Sequence, residues 1–100
     1  MELESLNRKV CIGGVEYDNP LDGNPIPKRD FREFREGART TVKEIWLERY
    51  LWDGNCVHVE RSCLQMTNRG VCSLDGRQLK DRDDIEKVKA IFGGLKVADR

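Results

Sequence analysis

The sequence predicts a small α+β domain in which two helices cover one face of an antiparallel β-sheet, in the order ββ-α-βββ(β)-α. Three observations lead to this fold class. The 100 residues suit one domain, so residues 1–100 are treated as a single unit with residues 1–6 as a flexible tail. Turns rich in glycine and asparagine separate β-branched and aromatic runs. Two segments carry apolar residues three or four positions apart, as helices do.

The first predicted element is a β-hairpin over KVCIGGVEY. Apolar residues alternate on both sides of Gly13 and Gly14, and two glycines can adopt the positive φ that a tight hairpin turn needs. Residues 18–27 hold three prolines and are predicted to form an irregular loop. Pro27 at its end is a suitable entry to a helix.

The segment KRDFREFREGAR is predicted to form the first helix. Phe31, Phe34 and Ala38 are three and four residues apart, which would place them on one helical face. Asp30 followed by Glu33 fits a capping box at the helix start.

The segment TTVKEIWLERYLWDGNCVHVERS has two interpretations. Thr41 and Glu44 fit a capping box, which would make residues 42–52 helical. The β-branched and aromatic content and the break at Asp53 and Gly54 favour a β-hairpin instead. We expect the hairpin.

With a three-residue turn at 53–55, this hairpin has two distinct faces. One predicted face carries aliphatic side chains and a cysteine: Ile45, Leu47, Leu51, Val57, Val59 and Cys63. The opposite face carries aromatic and polar side chains: Trp46, Glu48, Tyr50 and Trp52, against His58, Glu60 and Ser62.

The rest of the chain is predicted to add short strands and a second helix. LQMTNRGVCSL is typical of strand, turn and strand, and Asp75 with Gly76 can start a further short strand. In DRDDIEKVKAIFGGL, Asp81 can cap the helix and the glycine pair 93–94 can end it. An apolar stripe follows helical spacing: Ile85, Val88, Ile91 and Phe92.

The net charge and the N-terminal sequence make some classes of function less favourable. Eighteen basic and eighteen acidic residues give a net charge of zero, which disfavours nucleic acid as a partner. No stretch is typical of a secretory signal or a membrane span. We therefore expect a cytoplasmic protein with reduced cysteines, no membrane partner and no disulfides. Accessory proteins of phages and mobile elements are often of this size and kind.

One cluster of residues offers a possible zinc site. Its members are Cys56, His58, Cys63 and Cys72. Their spacing, C-x-H-x4-C-x8-C, lacks the C-x2-C pair of common structural zinc sites. Neighbouring positions on one strand face are about 6.5–7 Å apart, too far for Cys56 and His58 to act as nucleophile and base. We expect no cofactor and no enzymatic activity, with a zinc-stabilised module as an alternative.

The first predicted helix offers a second alternative, binding of nucleic acid. Four arginines would form a basic stripe along it: Arg29, Arg32, Arg35 and Arg39. A neighbouring acidic stripe could pair with them: Asp30, Glu33 and Glu36.

The leading prediction is a non-enzymatic protein-binding domain of an accessory or inhibitor-like kind. It would act through a partly exposed aromatic sheet face that pairs aromatic anchors with a polar rim. The predicted partner-binding residues are Trp46, Glu48, Tyr50, Trp52 and His58. The partner would be another protein or a second copy of the chain. The alternative role for the aromatic residues is burial in the core.

Overall fold

The protein is mostly β, with two antiparallel sheets and one α-helix in the residues that the computed structural model describes, 8–23 and 25–99. The prediction of two helices on a sheet is therefore wrong. The predicted tail, residues 1–6, lies outside the described residues. The elements are β1 (Lys9–Ile12), β2 (Val15–Asp18), a 3-10 turn (Lys28–Asp30), β3 (Phe31–Arg35), β4 (Thr41–Trp52), β5 (Val57–Thr67), β6 (Cys72–Leu74), β7 (Arg77–Gln78) and α1 (Arg82–Gly94).

Strands β1 and β2 form the predicted N-terminal hairpin. Ile12 pairs with Val15 across a turn in which Gly13 and Gly14 have φ of 63° and 82°. These values lie in the left-handed region that glycine adopts without a steric cost. The side chains of Ile12 and Tyr17 from this hairpin enter the core.

The first predicted helix is instead a 3-10 turn followed by strand β3. Phe31 pairs with Ile45 and Phe34 pairs with Val42, so the two phenylalanines lie on opposite faces of the sheet. Both are partly buried there, one on each face. The helical spacing was misleading because an isolated helix this short is marginal in water, and pairing with β4 supplies long-range hydrogen bonds.

Strands β3 to β7 form one antiparallel sheet in the order of the sequence. The ambiguous residues 42–52 lie in strand β4, as expected. β4 and β5 are 12 and 11 residues long and pair without interruption from Val42–Thr67 to Trp52–Val57. β3 pairs only as far as Ile45, and β6 pairs only from Leu64. The end of the β4–β5 hairpin therefore extends as a two-stranded ribbon beyond its neighbours in the sheet.

Helix α1 begins at the predicted Asp81 cap and ends at Gly94, but it does so without a left-handed glycine, because Gly93 and Gly94 both lie within the helix and Leu95 is extended. The Asp81 carboxylate accepts hydrogen bonds from the backbone N–H groups of Asp83 and Asp84, which satisfies donors that have no partner within the helix. After the helix, Val97 forms a parallel bridge to Ile26 in the predicted 18–27 loop. No helix in the described part of the chain is long and apolar enough to cross a membrane.

The helix and the β1–β2 hairpin lie against the same side of the five-stranded sheet, which we call the covered face. The buried core lies here: Ile12, Tyr17, Ile45, Leu47, Leu64, Cys72, Val88, Ile91 and Phe92. Alternate residues of β4 and β5 point to the other side, which we call the open face. Along β4 this face carries Val42, Glu44, Trp46, Glu48, Tyr50 and Trp52.

Candidate protein-interaction surface

The far end of the open face carries four exposed apolar side chains, which we call the apolar quartet: Tyr50, Trp52, Val57 and Val59. Tyr50 pairs with Val59, and Trp52 pairs with Val57. Directly paired residues lie side by side on one face, so the four side chains form one patch. They are 51–67% exposed.

The two valines were predicted to lie on the aliphatic face with Leu47, and that register was wrong. The turn contains four residues, 53–56, because Trp52 pairs with Val57 and not with Cys56. A shift of one residue moves every side chain of a strand to the other face. Val57 and Val59 therefore join the aromatic residues.

Asp53 explains the longer turn. Its Oδ1 atom accepts hydrogen bonds from the N–H groups of Asn55 at 2.8 Å and Cys56 at 2.9 Å. The Asp53 N–H donates to the Cys56 carbonyl at 3.3 Å, and Gly54 supplies a φ of 92°. An aspartate that bonds the backbone two residues later is a known turn-former, so this residue was the signal for the correct register.

The register also changes the position of His58. It was predicted to lie on the aromatic face, but it pairs with Leu51 and therefore points to the opposite side of the hairpin from Tyr50. The other predicted partner-binding residues, Trp46, Glu48, Tyr50 and Trp52, share the open face.

Trp46 is held by a charged neighbour on the open face. The Arg61 guanidinium lies over the indole ring with 5.5 Å to its centroid. Arg61 Nη2 donates to Asp30 Oδ1 at 2.6 Å, and Arg61 Nε lies 3.4 Å from Glu48 Oε2. Trp46 remains 40% exposed, at the edge of a polar rim that separates it from the quartet.

The end of the open face that is flanked by β3 and β6 is polar. Glu44 is 8% exposed and accepts from Arg32 Nε and Nη2, both at 3.2 Å, and from Gln65 Nε2 at 2.7 Å. Burial alone would raise the pKa of Glu44, but hydrogen bonds from Gln65, Arg32 and Cys63 together lower it below the ordinary value.

Cys63 lies across from Trp46 on this face. Burial, followed by its hydrogen bond to Glu44, raises the pKa of the Cys63 thiol to about 12. Thiolate is the reactive form of cysteine, so Cys63 is an inert neighbour of the surface.

The four predicted zinc ligands do not come together. Cys63 lies on the open face, whereas Cys72 is 1% exposed in the core of the covered face. Cys56 lies in the turn, not on a strand, and its Sγ is 3.5 Å from His58 Nε2. That distance corrects the predicted separation of about 6.5–7 Å, which assumed that both residues were on the strand. Cys56 and His58 are joined by Asp53, which was not among the predicted zinc ligands.

The predicted arginine stripe does not form either, because it required a helix. Arg29 lies in the 3-10 turn and Arg39 precedes β4, while Arg32 and Arg35 are three positions apart on β3 and so point to opposite faces. Arg32 pairs with Glu44 and lies 4.4 Å from the centre of the Phe34 ring.

Comparisons with models of protein families, with curated proteins and with solved structures found no match to this chain.

Proposed function

We propose that this protein is a non-enzymatic binding protein whose open face docks onto an apolar surface of another protein. The observation that supports it is the apolar quartet, with all four members at least 51% exposed on one face of the β4–β5 ribbon. Contiguous exposed apolar residues rimmed by polar ones are typical of interaction sites.

The quartet has the composition of a binding hot spot. Tyrosine and tryptophan are the residues that most often dominate interface energies. Each buries roughly 150–250 Å² when fully covered. Covering the exposed part of Tyr50 or Trp52 would contribute roughly 2–3 kcal/mol at about 25 cal/mol per Å². Two such anchors flanked by Val57 and Val59 would form the centre of an interface, and the surrounding rim would supply the rest of the buried area.

The charges around the quartet are already paired within the chain. Arg49 Nη2 lies 2.8 Å from Glu60 Oε1 on the covered side of the ribbon, and Arg61 lies near Glu48 on the open side. Arg61 also bonds Asp30, so these groups include one more carboxylate than guanidinium. The best partner is therefore an apolar surface that is not strongly negative. The fixed position of Arg61 also lowers the entropy that the rim would lose on binding.

A cytoplasmic location suits this function. All four cysteines, Cys11, Cys56, Cys63 and Cys72, carry free thiols. Thiols persist in reducing compartments, so we propose that the protein and its partner meet in the cytoplasm.

The test is a comparative capture experiment with a matched control. The immobilised wild-type chain is compared with Tyr50→Thr/Val59→Thr, which removes two members of the quartet but keeps residues suited to strands. Val71→Thr is the control, since Val71 is a 40% exposed valine outside the quartet. Proteins retained from cytoplasmic extract are quantified, and the strongest one is purified for affinity measurement.

We expect one partner that wild type and Val71→Thr bind with equal affinity and that the double variant binds at least about tenfold more weakly. Equal affinity for all three chains would rule out the open face as the binding surface. Sedimentation of the purified chain tests whether the partner is a second copy of the chain. Dimerisation that depends on concentration and is abolished by Tyr50→Thr/Val59→Thr would identify a second copy as the partner.

A further inference from the structure

We propose that Asp53, Cys56 and His58 form a three-ligand binding site for a zinc-class transition-metal ion at the tip of the β4–β5 hairpin. Each residue offers one ligand atom, and these three atoms lie within 4.8 Å of one another. The site adjoins the apolar quartet but shares no residue with it, and metal binding can be measured without the proposed protein partner.

One of the distances between the ligand atoms already matches a zinc site, and a second is shorter than zinc requires. Zn–S and Zn–N bonds of about 2.3 and 2.0–2.1 Å at a tetrahedral angle give an S···N separation of about 3.5 Å. Cys56 Sγ and His58 Nε2 are 3.5 Å apart. The separation between His58 Nε2 and Asp53 Oδ2 is 2.5 Å, a hydrogen bond. It would have to lengthen to about 3.4 Å around zinc, which a small rotation of two exposed side chains supplies.

The orientation of the histidine distinguishes a metal site from a catalytic triad. In a triad the nucleophile and the acid contact different ring nitrogens, so that the acid orients the base. Here Cys56 Sγ and Asp53 Oδ2 both approach the same nitrogen, Nε2 of His58. Three donor atoms that converge on one point suit a shared cation better than proton transfer along a chain.

The turn positions one of the ligands before any metal binds. Asp53 uses Oδ1 to accept the two backbone N–H groups that close the turn, which leaves Oδ2 directed at His58. Hydrogen bonds that orient a ligand strengthen metal sites. Because the turn fixes Asp53 and Cys56 relative to each other, metal binding would cost little conformational entropy.

The ligand types define the class of metal. A thiolate and an imidazole favour zinc and related transition metals, whereas magnesium and calcium prefer oxygen ligands alone. Three protein ligands leave one tetrahedral position open. The side chains of His58 and Asp53 are 55% and 46% exposed, so solvent can fill that position. The site is on a surface turn, and removing the metal should therefore leave the fold intact.

The test is calorimetric titration of the untagged, reduced chain with Zn²⁺, repeated with Co²⁺ to record the absorption of a cobalt–thiolate bond. The variants are Cys56→Ser, His58→Gln and Asp53→Asn; the asparagine keeps an acceptor for the turn but loses the carboxylate. Cys11→Ser is the matched control because Cys11 is also an exposed thiol. Circular dichroism verifies that each variant is folded.

We expect wild type and Cys11→Ser to bind one Zn²⁺ with the same affinity. Cys56→Ser and His58→Gln should weaken binding by at least about 100-fold and Asp53→Asn by at least about tenfold. The cobalt–thiolate absorption should disappear in Cys56→Ser and should remain in Cys11→Ser. A wild-type chain that binds no stoichiometric Zn²⁺, or a Cys56→Ser variant that binds as tightly as wild type, would overturn the proposal.

Discussion

The two faces of the β4–β5 hairpin share the same strands but have different surroundings. On the covered face, Ile45, Leu47 and Leu64 are at most 1% exposed, beneath α1 and the β1–β2 hairpin. On the open face, the apolar quartet is 51–67% exposed. Apolar alternation in a strand therefore indicates that a face is apolar, but not that anything in the same chain covers it. We expect the covered face to determine stability and the open face to determine binding.

The largest effect on stability should come from the covered face. Leu64 is fully buried between Ile45 and Leu74, its neighbours across the sheet. Leu64→Ala should lower the free energy of unfolding by about 2–5 kcal/mol, because it removes buried methyl groups and leaves a cavity. Urea denaturation measures the change, with Leu21→Ala as the control, since Leu21 is 41% exposed. Equal losses at both positions would mean that the covered face is not the core.

Thiol reactivity should distinguish Cys63, at the polar end of the open face, from the exposed cysteines elsewhere in the chain. At pH 8 a thiol with a pKa of about 12, such as that of Cys63, is almost entirely protonated. Exposed Cys11 and Cys56 should react with a disulfide reagent first, and Cys63 at least about tenfold more slowly. Cys72 should also react slowly because it is buried. Mass spectrometry of partially labelled, chelator-treated protein measures the four rates; rapid labelling of Cys63 would contradict its burial near Glu44.

The Glu44 network should make a smaller, pH-dependent contribution. The pKa of Glu44 is lower in the folded state than in the unfolded chain. Ionised Glu44 therefore stabilises the fold fully above the unfolded pKa of about 4.3. This stabilisation is lost as the pH falls through the folded pKa. Glu44→Gln should lower the Tm at pH 7, and the difference from wild type should shrink as the pH falls below the unfolded value and through the lower folded pKa. Glu86→Gln, on the exposed side of α1, is the control. A Tm difference that stays constant with pH would contradict this account of Glu44.

The smallest effect on stability should come from the quartet itself. Val57→Thr and Val59→Thr retain a β-branched shape and should each change the free energy of unfolding by no more than about 0.5 kcal/mol. Urea denaturation of both variants measures this, with Val71→Thr for comparison. A loss of about 2 kcal/mol or more at Val59 would show that the open face is covered within the chain.

Several elements were predictable from local chemistry. The glycine pair at 13–14 and the Asp81 cap are signals that depend on neighbouring residues alone, and the structure has both elements. The helix also ends at Gly94, although no left-handed glycine ends it. The long hairpin was also expected. Neighbouring residues were sufficient to predict an element wherever a turn or a helix cap defined the backbone conformation.

The differences between the predicted and the observed fold depended on contacts between residues that are distant in the sequence. Phe31 and Phe34 have helical spacing, yet each packs on a different face of a sheet whose partner strand begins at Thr41. The register of β5 depended on one extra turn residue, set by two hydrogen bonds to Asp53. Val57 and Val59 lie on the open face and Leu64 lies on the covered face of the same continuously paired strand.

The most direct test of the proposed function is acrylamide quenching of Trp52 fluorescence, before and after the captured partner is added. Trp46→Phe leaves Trp52 as the single tryptophan of the chain, and the fluorescence of the partner recorded alone is subtracted from that of the complex. We predict strong quenching in the free protein, where Trp52 is 67% exposed, and marked protection in the complex. Quenching that the partner leaves unchanged would contradict binding through the open face.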